Sequence, residues 1–77
     1  MLVMVNGRSD QELAESITKN IRTAINTAGK GKSEIARAIG VAAPTISQYL
    51  SGRIQPTLVT LVKLCEYLGI SADDILT

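Results

Sequence analysis

The sequence predicts an all-α fold, a compact five-helix bundle in one domain. Three observations carry that prediction. Apolar residues recur every three or four positions along most of the chain, which is the helical period. Helix-starting residues (Ser9, Thr57, Ser71) and helix-stopping glycines (Gly29, Gly40, Gly52, Gly69) punctuate the chain at helix-length intervals. Hydrophobic residues make up 45% of the 77 positions while aromatics make up 3%, an aliphatic composition too apolar for disorder.

The first helix starts at Ser9, where Ser9-Asp10-Gln11-Glu12 forms a capping box. Asp10 and Glu12 complement the positive end of its dipole. Leu13, Ile17, Ile21, Ile25 and Ala28 then make one apolar stripe, and Gly29 ends the helix. A second helix is expected over 32–39, with Ile35, Ala36 and Ile39 inward and Gly40 as its stop. A third starts after Val41 and runs to Leu50, burying Ile46, Tyr49 and Leu50, with Gly52 beyond it. Pro44 is compatible with this helix because the first turn has no intrahelical acceptor for the missing N–H. Thr57 caps a fourth helix over 58–68, stopped by Gly69. Ser71 and Asp74 repeat the capping pattern for a short last turn ending near Leu76. Residues 9–77 form the domain, and residues 1–8 a flexible lead-in whose Met1–Val5 run fits a frayed tail, a short strand or an arm.

Composition narrows the chemistry. Without histidine there is no imidazole base, no histidine metal site and no pH switch near neutrality. The single cysteine, Cys65, can form neither an internal disulfide nor a zinc cluster, and it lies on the Leu58, Leu61, Cys65, Leu68 stripe as packing. Asp73 and Asp74 read as partners of the last turn's dipole rather than a catalytic pair. The expectation is a binding protein of the cytoplasm, with no catalysis, no cofactor and no metal. No membrane span is expected, since the longest apolar run, Met1–Val5, falls far short of the ~20 residues one needs.

The net charge of +1 conceals an asymmetry. Residues 19–53 carry Lys19, Arg22, Lys30, Lys32, Arg37 and Arg53 against Glu34 alone, a local +5 between two ends of −2 each. Such a basic middle attracts polyanions.

That middle coincides with a motif. In the run from Lys32 to Ser51, Ala36 is small enough for two helices to cross closely. Gly40 supplies the positive φ of a tight corner, Val41 plugs the gap below it, and Ile39 and Ile46 close the core between the helices. A small residue, a glycine and a β-branched plug at these offsets make a helix-turn-helix pattern over 32–51.

From Gly29 to Thr77 the sequence resembles the phage repressor and Cro type of helix-turn-helix domain, the xenobiotic-response-element group. Ile46-Ser47-Gln48-Tyr49-Leu50-Ser51-Gly52-Arg53 followed by Pro56 is similar to that family's recognition-helix end. The run Leu61-Val62-Lys63-Leu64-Cys65-Glu66-Tyr67-Leu68-Gly69-Ile70-Ser71 is similar to its fourth helix and following cap. The resemblance implies a lambda-repressor-like five-helix domain, acting as a homodimer, whose third helix enters the major groove of double-stranded DNA. Carried over position by position, it implies that Ala43, Pro44, Ser47 and Gln48 face bases, with Thr45 placed for a base or a phosphate. Lys32, Ser33, Arg37 and Arg53 are the implied phosphate contacts. Lys32 departs from the family's usual glutamine. Leu50 replaces a glutamate that in many members pairs with a helix-one arginine, so that pair is not expected here.

The fourth helix carries more apolar residues than one core-facing stripe uses. Leu58, Val62, Ile70 and Leu76 are therefore expected to form a dimer interface. The leading expectation is a sequence-specific transcriptional regulator, a repressor on a palindromic operator. The alternative is an antitoxin or adaptor that presents its apolar C-terminal surface to a different protein, such as a toxin or co-regulator.

Overall fold

The computed structural model describes residues 7–76; the Met1–Val5 run and Thr77 lie outside the described residues. Its elements are α1 (Asp10–Ala28), α2 (Lys32–Ile39), α3 (Ala43–Ser51), α4 (Leu58–Leu68) and α5 (Asp73–Leu76), with no strand element among the described residues. The all-helical, five-helix architecture expected from the sequence is the one observed.

Local chemistry accounts for the boundaries. The Ser9 hydroxyl accepts from the Glu12 N–H at 3.2 Å, while Glu12 Oε1 accepts from the Ser9 N–H at 3.2 Å, so both halves of the capping box form. Thr57 caps α4 by accepting from the Thr60 N–H at 3.2 Å. At α5 only half of the expected box is present: Asp74 accepts from the Ser71 N–H at 3.1 Å, and the first turn closes through backbone carbonyls of Ser71 and Ala72. Helix α3 runs one residue past the expected Leu50, because Gly52 and Arg53 donate back to the Gln48 carbonyl and keep Ser51 helical.

Helix α1 is the spine, packing against α3, α4 and α5, while α2 packs against α3 and α4. Ile21, Ile35, Ile46, Leu64 and Ile75, one from each helix, are the largest fully buried side chains, so a single core receives a contribution from every element. Removing any one of them to Ala costs about 2–5 kcal/mol in a close-packed interior. Ala36 is buried where α2 and α3 meet, and Val41 packs half-buried below the corner as the motif requires. The Gly40 and Val41 N–H groups both donate to the Ala36 carbonyl, which closes the end of α2. Cys65 is buried in the same core, where burial and the nearby Asp74 charge raise its thiol pKa. Two side-chain bonds fasten the periphery to the spine: Asn20 Nδ2 donates to the Ile75 carbonyl at 2.9 Å and Gln55 Nε2 to the Ala14 carbonyl at 3.0 Å.

Two glycines bear different loads. Gly40 has φ +76°, and a Cβ there would meet open space. Gly52 has φ +79°, and its Cβ would lie 3.2 Å from Thr18 Oγ1 and 3.3 Å from Thr18 Cγ2, against a buried side chain of the spine. A left-handed non-glycine residue costs about 1–2 kcal/mol by itself. Gly40→Ala should therefore lose about that much stability in urea denaturation, and Gly52→Ala measurably more. Equal losses for the two variants would show that the Thr18 contact does not constrain Gly52.

Candidate nucleic-acid interface

Helix α3 has two unlike sides. Ile46 and Tyr49 are buried and Leu50 is half-buried, which fixes one side in the core. Pro44, Ser47 and Gln48 lie along the opposite side, Ser47 three and Gln48 four positions after Pro44, the spacing of one helix face, while Ala43 at the start of the helix packs against the core. Pro44 and Ser47 are exposed, Ala43 and Gln48 half-buried. Thr45 is half-buried at the margin between that face and the buried Tyr49 side. The corner at Gly40 thus converts a short sequence into a helix whose outward side carries Pro44, Ser47 and Gln48, three of the five expected base-facing residues.

The expected phosphate-contact residues Lys32, Ser33, Arg37 and Arg53 are all exposed. Ser33 lies in the first turn of α2, and Arg53 lies just beyond the end of α3. Helices α1 and α4 have side-chain caps, whereas α2 and α3 begin at Gly31 and Ala42 with none. The leading N–H groups of α2 are not consumed by a side-chain cap, an arrangement suited to phosphate oxygens, whereas α3 offers fewer because Pro44 has no N–H and the Thr45 N–H donates to the Ala42 carbonyl at 2.9 Å.

Not every cation of the basic segment is free for a polyanion. Lys30 Nζ lies 3.6 Å from Glu34 Oε2 and 5.2 Å from the Tyr67 ring centroid. Tyr67 donates its hydroxyl to the same Glu34 oxygen at 2.8 Å, tying the first turn of α2 to α4. Arg22 is also engaged, donating from Nε and Nη2 to the Leu50 carbonyl at 3.2 and 2.9 Å. Arg22, exposed on α1, braces the C-terminal end of α3, placing a positive charge where the helix dipole is negative. Where a glutamate is absent at Leu50, the backbone carbonyl of the same residue accepts the arginine. That bond spans 28 positions and leaves no periodic trace in the sequence.

Among the described residues neither Arg37 nor Arg53 forms an ion pair. Lys32 is placed differently from the others. Its Nζ lies 3.4 Å from Ser47 Oγ, so the first residue of α2 reaches across to the outward face of α3. The expected dimer residues are distributed unevenly: Leu58 is 78% exposed, Val62 51% and Leu76 46%, whereas Ile70 is half-buried against the core. Val59, 66% exposed, adjoins Leu58 on the same helix.

A short corner of two crossing helices, a recognition-type helix locked by one side only, and flanking cations define a helix-turn-helix domain. Comparison with known families agrees: the Helix-turn-helix family model matches residues 21–75. The chain belongs to that family, a class of DNA-binding transcriptional regulators. Among solved structures it is similar to the solution structure of the SOS-response transcriptional repressor LexA from Eubacterium rectale. That similarity has a TM-score of 0.77 and 25% identity, covering 84% of this chain and 69% of that one. A search of curated proteins found no match. No helix among the described residues is long and apolar enough to cross a membrane.

The Tyr67–Glu34 bond gives the interface a measurable reporter. The hydrogen bond to Glu34, then desolvation and the carboxylate's charge, raise the Tyr67 phenol above its ordinary value, while burial alone raises Tyr49. Deprotonation removes the donor and sets phenolate against carboxylate. The stabilisation from this bond is therefore complete below the ordinary phenol pKa of about 10 and is lost as pH rises through the raised folded value. Ultraviolet titration should show both tyrosines ionising late, and Glu34→Gln should bring one of them back toward the ordinary value. An unchanged titration in that variant would contradict the assigned contact.

Proposed function

We propose that this chain is a transcriptional repressor that binds a palindromic operator as a homodimer, acting in the cytoplasm without a cofactor and without catalysis. The observation that carries the reading is the two-sided build of α3. Its Ile46 and Tyr49 side is committed to the core, while Pro44, Ser47 and Gln48 are left along the outward face, with the half-buried Ala43 at its edge. In this reading α3 lies in the major groove. Gln48 pairs with adenine through its amide, Ala43 and Pro44 pack on thymine methyl groups, and Ser47 contacts a base edge. Thr45 contacts a base or phosphate at the margin of the helix. Ser33, Arg37 and Arg53 hold the duplex backbone and set register without reading sequence.

The dimer follows from geometry and from exposed apolar surface. One recognition helix reads one half-site, and two copies related by a twofold axis place two such helices about 34 Å apart, one turn of DNA. Leu58, Val59 and Val62, with Leu76 and the edge of Ile70, are the proposed contact surface, since large apolar side chains this exposed mark interaction sites. The same exposure favours a second reading, in which a different protein such as a toxin or co-regulator covers this surface.

Selection of bound duplexes from a random pool, combined with sedimentation, separates these readings. The repressor reading predicts an enriched palindrome and two copies per site. A monomer in solution with one copy per site would sink the dimer, and no enrichment would favour the protein-partner reading. On the selected site, Gln48→Ala should cost about 1–3 kcal/mol and relax preference at one base position. Arg53→Ala should instead weaken all duplexes alike and lower the salt slope by about one unit.

A further inference from the structure

The geometry points to Lys32 and Ser47 acting together as one guanine-reading unit, with Lys32 a specificity-determining residue rather than a phosphate clamp. This inference rests on the DNA-reading role proposed for α3. Lys32 Nζ and Ser47 Oγ lie 3.4 Å apart although they belong to different helices, and both side chains are exposed. The separation is looser than a tight N–H···O bond of about 2.7–3.2 Å, which leaves both groups able to turn toward a third partner.

Chemistry then restricts what that partner is. An ammonium group has three donors and no acceptor, so the Ser47 oxygen receives from Lys32 and its hydroxyl hydrogen points away from it. The pair accordingly presents two donors side by side on the outward face of α3. In the major groove guanine alone offers two acceptors, N7 and O6, on one base edge. Adenine offers N7 alone as an acceptor beside its N6 amino donor, so the second donor of the pair finds no acceptor there, and cytosine offers a donor at the same edge. Thymine supplies a single acceptor, O4.

The position of Lys32 on its own helix acts in the same direction. It is the first residue of α2, where a positive charge opposes the helix dipole and is disfavoured. Extension toward Ser47 carries the charge away from that end and onto the face where α3 has few donors. Ala43 and Pro44 have no side-chain hydrogen-bonding group, so without Lys32 the reading of bases along this face falls to Ser47, Gln48 and the marginal Thr45. A cation supplied from α2 fills that deficit.

The test selects duplexes from a random pool with the unaltered chain, with Lys32→Met and with Ser47→Ala. Lys32→Met retains the length of the apolar stem and removes the charge. Because both residues are exposed, neither variant should lower the melting temperature, which separates loss of reading from loss of fold. The unaltered chain should enrich guanine at one position of each half-site. Each variant should lose about tenfold or more of that preference at that same position, with the remaining positions retained. The inference is overturned if Lys32→Met keeps the base profile, weakens every sequence alike and lowers the salt slope by about 0.9, the signature of a phosphate contact. It is overturned equally if the enriched site has no guanine that depends on both residues. Absence of any enrichment with the unaltered chain would overturn this inference together with the reading on which it rests, whereas an enriched site insensitive to Lys32 overturns this inference alone.

Discussion

The close crossing of α2 and α3 is the constraint on which the remaining structure depends. It requires a buried small residue at Ala36, a left-handed backbone at Gly40 and a half-buried plug at Val41, all within six positions. With these in place, Ile35, Ile39 and Ile46 meet in one core, and α3 turns its opposite side outward. A bulkier residue at Ala36 would separate the helices and rotate the outward face, because interiors at this packing density accommodate added volume by moving backbone. The remaining helices hold this corner: α1 lies against α3, and α4 lies against α2.

The support is graded by element. The buried isoleucines and leucine supply most of the cohesion, as expected for burial of aliphatic surface. Polar contacts set orientation. Arg22 braces the end of α3 through the Leu50 carbonyl, and Tyr67 with Glu34 joins α2 to α4. Both lie at exposed positions, where each bond contributes modestly but restricts how the motif tilts. Thr18 leaves little room for a Cβ at Gly52, which favours glycine at the same end of α3 that Arg22 braces.

Much of this fold was legible in the sequence because its signals are local. The bounds of α2 and α4 match residue by residue, since a left-handed glycine follows each and the Thr57 cap precedes α4. The Ser9 capping box involves residues three apart, and the helix-turn-helix spacing lies within twenty positions. What escaped was contact between elements distant in sequence. Arg22 with Leu50, Gln55 with Ala14 and Asn20 with Ile75 each join a side chain to a backbone carbonyl, and any residue supplies a carbonyl, so no residue type announces the partner. The candidate site was legible as a set of positions on one helix face. The approach of Lys32 to Ser47 was not, because it depends on how two helices cross rather than on spacing within either one.

The central claim is that the outward side of α3, together with the start of α2, is the face that meets DNA. Amide and side-chain shift mapping by nuclear magnetic resonance, during titration with a duplex carrying a selected site, tests it most directly. The account predicts the largest changes at Lys32, Ser33, Ala43, Ser47, Gln48 and Arg53, forming one contiguous surface, with Ile46 and Tyr49 responding only weakly from the buried side. Changes centred on Leu58, Val59 and Val62, with the outward face of α3 silent, would contradict it and assign the interaction to the apolar surface of α4 instead.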